Sequence, residues 1–383
     1  MPMLRAFLTA YPWDLIDEGV ATVLDQLHGE IGVTGLSVWI GVPPIVQLRV
    51  REVRPRVYRT RGGVFFHPDE QHYTGSRCKP VVSTWIRGRQ PLKHIAEACA
   101  ERAMELRVIV SAAITGRLSQ RYPEMASKNL FGIESHAGVC LANPDFQAYL
   151  SGLVSDLSGR DNIAGVTLSD FEIAWPEAFQ DDLRGAKPLG QTERSLFATC
   201  FCESCHQHAT AAGVDVGMAR RSVQVILQKI LDAGLATDWT LDAVLSDDAP
   251  LAEYYHWRTE ELSSLLSRLV NSCKCEVLLD RPFAEADRQH TDPDLSLPAA
   301  VITRLDHPDR LGSALSSAAR RNELRLPESL AIAAHGPELV GTLSRAVELG
   351  VTGVEIDNYG LLPDAALTPI KQAIRFARRT TSE

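Results

Sequence analysis

The chain lacks features that mark several well-known classes of protein. Its basic residues are outnumbered, with 39 Lys and Arg against 48 Asp and Glu and a formal net charge of −9. Nucleic acids and anionic membranes are bound through basic surfaces, so this balance argues against both as partners. There is no apolar run of membrane-spanning length, and the first residues do not form a charged region followed by an apolar one. We therefore expect a soluble, cytoplasmic protein.

A dinucleotide-binding fingerprint is also missing, because no Gly-x-Gly-x-x-Gly follows a predicted strand. What the chain has instead is a repeated alternation of apolar strands with helices, which favours a parallel sheet covered by helices. Strands are predicted at 4–9, 34–40, 107–113, 165–169, 276–279, 299–303, 329–333 and 353–357. Eight such units indicate an α/β fold, a (β/α)8 TIM barrel with enlarged loops after strands 2, 3 and 4. We expect one domain over residues 1–383, with insertions at about 41–92, 114–140 and 173–270.

In such a barrel, functional side chains lie just beyond the carboxyl ends of the strands. The residues at those places combine carboxylates, cations and aromatic rings, which is typical of a carbohydrate site. The catalytic candidates are Asp170 and Glu172 after the fourth strand and Asp357 after the eighth. The candidates for substrate binding are Trp39, Arg117, Trp175, Asp280, Arg304, His335, Asn358 and Tyr359.

The spacing of the carboxylates does not decide which of them faces a ligand. Asp170 and Glu172 are two residues apart, as are Glu355 and Asp357, so on an extended strand each pair points the same way. Glu355 has a second interpretation, as a residue of the barrel interior paired with an arginine. Glu172 is our candidate for the general acid. Its partner would be one of Asp170, Asp280, Asp306 or Asp357, with Asp357 as our hypothesis.

The eight cysteines are expected to be free thiols or metal ligands rather than a disulfide framework. Cys200, Cys202 and Cys205 supply three soft ligands in one turn, and Cys140 is the natural fourth because loops after adjacent barrel strands are neighbours. Four thiolates predict a closed, structural zinc site. The alternative is a cluster of buried cysteines without metal. Cys273-x-Cys275 lies before a strand, at the opposite end of the barrel, and is interpreted as a pair of buried thiols.

Three segments together resemble glycoside hydrolase family 42, the β-galactosidases with a (β/α)8 catalytic domain. They are residues 140–144 before a helix, the strand that leads to Glu172, and residues 200–206 opening another helix. The resemblance covers about residues 130–215 and implies a structural zinc on the equivalent cysteines and Glu172 as acid/base. Phe171 departs from the family, which has Asn before that Glu. The predicted seventh strand also leads to His335, where the family has its nucleophilic Glu. We therefore expect a glycosidase-like relative rather than a β-galactosidase of that family.

An arginine-rich stretch follows the second strand of this acidic protein. One interpretation is a solvated hairpin edge or a contact between copies in a homo-oligomer. The other is a basic rim over the barrel mouth that attracts an acidic sugar or a phosphorylated glycan. The residues concerned are Arg49, Arg51, Arg54, Arg56, Arg59 and Arg61.

The leading hypothesis is a glycoside hydrolase that acts on an oligosaccharide or glycoside by carboxylate acid/base catalysis. A second is a metal-dependent sugar isomerase, epimerase or lyase, in which His335, Asp280 and Glu172 surround a divalent ion. A third is a sugar-binding barrel that has lost catalysis, which is motivated by the missing glutamate after the seventh strand.

Overall fold

The computed structural model describes residues 4–51, 55–171, 190–233, 239–281, 292–305, 307–333 and 337–380. Within this part of the chain, eight parallel strands close into a barrel, because β1 pairs with β11 on one side and with β2 on the other. The predicted (β/α)8 barrel is therefore confirmed. The strands in chain order are β1 (Arg5–Ala10), β2 (Gly35–Leu48), β3 (Val57–Val64), β4 (Glu105–Ser111), β5 (Ala126–Lys128), β6 (Glu134–Val139), β7 (Gly165–Ser169), β8 (Glu276–Arg281), β9 (Ala300–Arg304), β10 (Asn322–Leu326) and β11 (Gly353–Ile356).

Helices surround the barrel and fill its long loops. Several begin where the sequence satisfies the first free N–H groups of a helix. Asn143 accepts the N–H of Phe146 at 3.0 Å ahead of a proline, and Asp248 does the same for Leu251 at 3.0 Å. The helices are α1 (Pro12–Glu18), α2 (Val20–Asp25), α3 (Pro91–Ala100), α4 (Arg117–Arg121), α5 (Pro144–Ser158), α6 (Gln191–Ala198), α7 (Glu203–Ala211), α8 (Val216–Ala233), α9 (Leu241–Asp247), α10 (Ala249–Ser272), α11 (Leu311–Ala314), α12 (Glu328–Ala333), α13 (Pro337–Glu348) and α14 (Asp364–Thr380).

Charged side chains fill the amino-terminal end of the barrel interior. Arg107 of β4 donates to both oxygens of Glu323 of β10, at 2.6 and 3.1 Å, although these strands are not neighbours in the sheet. Side chains from opposite sides of a barrel can meet only inside it. Arg5 and Arg321 also pair with Glu323, at 2.6 and 3.1 Å. Burial opposes the charge of Glu323, yet these arginines hold its pKa below the usual value. The interior is therefore an ion-paired core.

The seventh barrel strand is not where the sequence pattern placed it. The strand is β10, Asn322–Leu326, and the apolar stretch 329–333 belongs to helix α12. The α-helix that precedes this strand, α11, covers only Leu311–Ala314. The reason is that β10 alternates charged residues, which face the ion-paired interior, with leucines that are buried on its other face. A search for continuous apolar strands therefore passes over it.

The segment after the second barrel strand is more regular than predicted. Strand β2 continues for 14 residues and pairs antiparallel with β3, from Gly41 opposite Val64 to Leu48 opposite Val57. The first part of β2 belongs to the barrel, between β1 and β4. The second part extends beyond the carboxyl end of the barrel as one strand of a hairpin. We call this projection, residues 41–51 and 55–64, the mouth hairpin.

Candidate functional site

The fourth barrel strand, β7, ends at a carboxylate with an unusual backbone conformation. Asp170 has a φ of 60°, in the left-handed region that non-glycine residues seldom adopt. Its carboxylate accepts hydrogen bonds from the hydroxyls of Ser111, at the end of β4, and Ser169, the latter at 3.3 Å. Burial raises the pKa of Asp170, and the nearby Arg304 guanidinium opposes that shift. Backbone outliers at strand ends are frequent at functional sites.

A second carboxylate of this kind stands at the end of the eighth barrel strand, β11. Asp357 follows the strand directly and accepts a hydrogen bond from the Thr9 hydroxyl at 2.5 Å. Burial raises the pKa of Asp357 as well, against the opposing charges of Arg325 and Arg304. Its side chain keeps 21% of its surface exposed, so a ligand at the mouth can reach it.

The third carboxylate, Asp280 of β8, is held ionised by two arginines. Arg304 of β9 donates to it at 3.1 Å and to Ser169 at 3.4 Å, while Arg325 of β10 approaches it from below. Burial opposes ionisation of Asp280, but the two guanidinium groups outweigh it and lower its pKa. Arg304 interacts electrostatically with Asp280, Asp357 and Asp170 together. The three carboxylates therefore surround one cation at the carboxyl end of the barrel.

Glu355 lies below this group. It is an interior residue paired with arginine, which confirms the second interpretation that its sequence position allowed. Arg325 donates to it through two N–H groups at 3.1 and 2.5 Å, and Arg107 lies 3.3 Å from its other oxygen. The Ser37 hydroxyl donates to that oxygen at 2.6 Å. Arg325 thus links the interior ion pairs to the carboxylates of the mouth. The sequence pattern did not indicate Arg325, because its strand was predicted seven residues too far along the chain.

The position after the seventh strand also needs correction. Strand β10 ends at Leu326. Glu328 lies two positions further along the chain and is the first residue of α12. The premise that no carboxylate follows this strand is therefore wrong. The alternation of Glu323 and Arg325 with leucines was the signal that could have located the strand, and with it Glu328.

Aromatic rings line one side of the mouth, where β1 and β2 end. The Trp13 ring stacks between Tyr11 and Tyr58, with centroids at 4.6 and 4.1 Å, and Trp39 packs beside Tyr11 at 6.1 Å. Trp13 is fully buried and donates its indole N–H to Gln47 at 2.6 Å, whereas Tyr11 and Tyr58 are half-buried. We call these four rings the aromatic cluster. Tyr58 comes from the mouth hairpin, so the hairpin supplies part of the wall.

Two of the six arginines after β2 are engaged in ion pairs inside the fold. Arg49 is fully buried and contacts Asp14 at 3.0 Å and Asp17 at 2.8 Å. Arg51 lies 4.1 Å above the Tyr359 ring and pairs with Asp364 at 2.6 Å. These contacts fasten the turn end of the mouth hairpin to α1 and α14. Their charge is neutralised locally, which leaves the exposed Arg56, Arg59 and Arg61 for a basic rim.

The other predicted site residues either form hydrogen bonds within the fold or lie outside the described residues. Tyr359 is buried and donates its hydroxyl to Glu18 at 2.9 Å, and Asn358 caps the turn that holds it by accepting the N–H of Gly360 at 3.0 Å. Arg117 begins α4 and donates to the Val82 carbonyl at 3.4 Å. The candidates outside the described residues are Glu172, Trp175, His335 and Asp306; Arg54 also lies outside them.

The structure brings four cysteines together beside the barrel. The sulfur atoms of Cys140, Cys200, Cys202 and Cys205 all lie within 4.8 Å of one another, and all four residues are buried. We call them the four-cysteine cluster. It joins the loop before α5 to the segment between α6 and α7 and to α7 itself, which contains Cys205. Arg258 of α10 is buried beside it, and the sulfur atoms raise the pKa of its guanidinium even though burial opposes the charge.

Comparisons with known proteins support the fold. No family model and no curated protein matches the chain. Among solved structures, the chain is similar to the α-L-fucosidase isoenzyme 2 from Paenibacillus thiaminolyticus, at 12% identity and a TM-score of 0.55, covering 98% of this chain and 49% of that one. It is also similar to a β-galactosidase from Halorubrum lacusprofundi, at 10% identity and a TM-score of 0.55, covering 98% and 58%.

A third similar structure is the PgaB (BpsB) glycoside hydrolase domain from Bordetella bronchiseptica, at 10% identity and a TM-score of 0.56, covering 98% of both chains. The chain spans about half to three-fifths of the fucosidase and β-galactosidase chains. At these identities the likeness shows a shared (β/α)8 barrel, of the kind found in glycoside hydrolases. Among the described residues, no helix combines the length and apolarity needed to cross a bilayer.

Proposed function

We propose that this protein is a glycoside hydrolase that cleaves an oligosaccharide or glycoside at the carboxyl-terminal mouth of its barrel. The observation that carries the proposal is the group of Asp170, Asp280 and Asp357 around Arg304, at the ends of four barrel strands. Glycoside hydrolysis uses paired carboxyl groups, one that carries a proton and one that is ionised. In the aromatic cluster beside them, the half-buried Tyr11 and Tyr58 offer flat faces for sugar rings.

The electrostatics of the mouth assign different roles to its carboxylates. Asp170 and Asp357 have raised pKa values because they are buried, so each is suited to carry a proton to a leaving oxygen. Asp280 has a lowered pKa and is tied to two arginines, so its role is to hold Arg304 and Arg325 in place. Glu172 keeps its place as the candidate general acid on sequence grounds, two residues after Asp170.

The partner of the acid comes from a wider set than the sequence indicated. Asp357 and Asp170 are supported by their place at the mouth, at the ends of β11 and β7. Glu328 joins them because the resemblance to glycoside hydrolase family 42 implies a nucleophilic glutamate after the seventh strand, and Glu328 follows β10. This also removes the motive for interpreting the chain as an inactive sugar-binding barrel.

The test is hydrolysis of a panel of aryl glycosides and oligosaccharides by the wild type and by single variants. Asp170→Asn, Asp357→Asn, Glu172→Gln and Glu328→Gln remove one acid each with little change in shape. Loss of the general acid or its partner should lower kcat about 10²- to 10⁴-fold. The matched control is Glu348→Gln, an exposed carboxylate on α13 that should retain wild-type turnover.

Three results would contradict the proposal. One is a wild type that hydrolyses no member of the panel. Another is that all four variants have the same turnover as the control variant Glu348→Gln. The third is activity that chelation abolishes while the fold and the metal of the four-cysteine cluster are retained, which would favour the metal-dependent alternative.

We also propose that the four-cysteine cluster holds a structural zinc ion. The residues fit this group, because four thiolates around zinc at about 2.3 Å lie a little under 4 Å from one another, and the Cys140 and Cys205 sulfurs are 3.4 Å apart. Such a site carries excess negative charge, which the buried guanidinium of Arg258 can balance. Zinc there would fasten the loop before α5 to the segment between α6 and α7.

A further inference from the structure

Two cysteines outside the four-cysteine cluster are in contact at the amino-terminal end of the barrel. Cys273 follows the last residue of α10, and Cys275 directly precedes β8. Their sulfur atoms are 3.7 Å apart. Both residues are half-buried, whereas the other six cysteines are buried. The sequence-based interpretation of two buried thiols therefore needs correction, since this pair combines close contact with access to solvent.

The surroundings do not favour a metal site at this pair. In the described part of the chain, no third Cys, His, Asp or Glu joins these two sulfurs in a possible ligand group; the four-cysteine cluster is the group found there. Two thiols alone do not complete the tetrahedral set that zinc requires. A reaction between the two sulfurs therefore explains their contact better than metal binding does.

The local hydrogen bonds distinguish the two sulfurs. The Cys275 thiol lowers the pKa of Cys273 to about 6, and the N–H groups of Cys275 and Lys274 and the Ser158 hydroxyl act in the same direction. The pKa of Cys275 is raised in turn by its contact with Cys273 and by burial. A thiolate next to a protonated thiol is the arrangement of an attacking and a resolving cysteine.

We propose that Cys273 and Cys275 form a reversible intramolecular disulfide by exchange with a low-molecular-weight disulfide such as oxidised glutathione. The Cys273 thiolate attacks one sulfur of the small disulfide, forms a mixed disulfide and releases the first small thiolate. Cys275 then loses its proton to water, attacks the Cys273 sulfur and releases the second thiolate. The two cysteines are oxidised by two electrons, and the small disulfide is reduced to two thiols.

The chain around the pair allows this bond to form and to break. The sulfurs have to approach from 3.7 Å to about 2 Å. Only Lys274, which is exposed, separates the two cysteines, and residues 273–275 belong to neither α10 nor β8. A disulfide across one residue closes a very small ring. Its strain makes it easily reduced, as is typical of regulatory disulfides rather than structural ones.

The experiment uses the full chain in its native state. The protein is incubated with oxidised glutathione, remaining thiols are blocked with iodoacetamide, and the peptide that contains residues 273–275 is analysed by mass spectrometry. We expect loss of both free thiols in that peptide, an internal disulfide without bound glutathione, and full recovery on addition of reduced glutathione. Buried Cys78 and Cys99 serve as internal controls and should stay reduced.

The single variants separate the two roles. Cys275→Ser lacks the resolving thiol and should accumulate a stable glutathione adduct on Cys273, whereas Cys273→Ser should react more slowly than the wild type. The proposal is overturned if both thiols stay alkylated in the wild type, or if each carries its own stable glutathione adduct. The wild-type result stands on its own if a variant fails to fold, which circular dichroism would reveal.

Discussion

Replacement of Arg325 by methionine tests whether the ion-paired interior holds the site together. Arg325 is fully buried and donates to Glu355 at 3.1 and 2.5 Å while it contacts Asp280. Methionine fills similar space but removes the guanidinium group that pairs with the carboxylates of Glu355 and Asp280. Breaking a buried ion pair from one side costs about 3–5 kcal/mol.

The structure points to the lower end of that range. Glu355 keeps Ser37 and Arg107 as partners in the variant, and Asp280 keeps Arg304. We therefore expect the free energy of unfolding to fall by about 3 kcal/mol, a large part of the roughly 5–15 kcal/mol of a typical domain. Urea unfolding followed by tryptophan fluorescence measures it, with a constant m-value as the check on two-state behaviour.

Two further variants make the reasoning refutable. Arg345→Met removes an arginine from the exposed pair with Glu348 on α13 and should change stability by less than about 0.5 kcal/mol. Glu355→Gln removes a charge that loses its Arg325 partner in the first variant, so the double variant with Arg325→Met should be more stable than additivity predicts, by about 0.5–3 kcal/mol. Equal effects of Arg325→Met and Arg345→Met, or strict additivity in the cycle, would refute this account of the interior.

Three other predictions concern the supports of the mouth. Burial raises the pKa of Asp14 from 3.8 to about 6, so the native state holds a proton that the unfolded chain releases. The free energy of unfolding should therefore fall by about 3 kcal/mol as pH rises from about 3 to 7, and Asp14→Asn should lose that slope in urea titrations at each pH. Gly360→Ala places a Cβ 2.3 Å from an Asp14 oxygen and should cost about 1–3 kcal/mol in the same assay; an unchanged midpoint would contradict the close packing. Purified protein should contain one zinc per chain by mass spectrometry. Cys202→Ser should lose this zinc, and Cys99→Ser should keep it. An equal zinc content in the two variants would exclude the four-cysteine cluster as the zinc site.

The barrel was predictable wherever its strands are mostly uncharged. The barrel part of β2 and strand β7 carry no charged residue, and in β4 Glu105 and Arg107 come before the apolar run 108–110. The alternation of such strands with helices specifies the fold class. Strand β10 failed this criterion because Glu323 and Arg325 occupy its interior positions. Charges inside a barrel invert the usual pattern, and only the closed structure shows that partners from β1, β4, β8 and β11 satisfy them.

The candidate site was predictable in part for a similar reason. The rule that functional residues follow strand ends found Asp170, Asp280, Arg304 and Asp357, which the structure brings to one mouth. The rule could not distinguish them from Tyr359, whose ring is packed under Arg51. Cysteine spacing predicted the four-cysteine cluster because sulfur ligands must converge on one point. A hairpin edge was one interpretation of the arginine-rich stretch, and β2 and β3 form a hairpin there. Its register was not predicted, because that depends on how the two strands pair.

The most direct test of the central claim is a crystal structure of the protein soaked with a monosaccharide that the hydrolysis panel identifies as a product. We predict a sugar ring at the carboxyl-terminal mouth, within hydrogen-bonding distance of Asp170 or Asp357 and with one face toward the aromatic cluster. A sugar bound at the amino-terminal end of the barrel or on the outer surface, with the mouth empty at saturating concentration, would contradict the account.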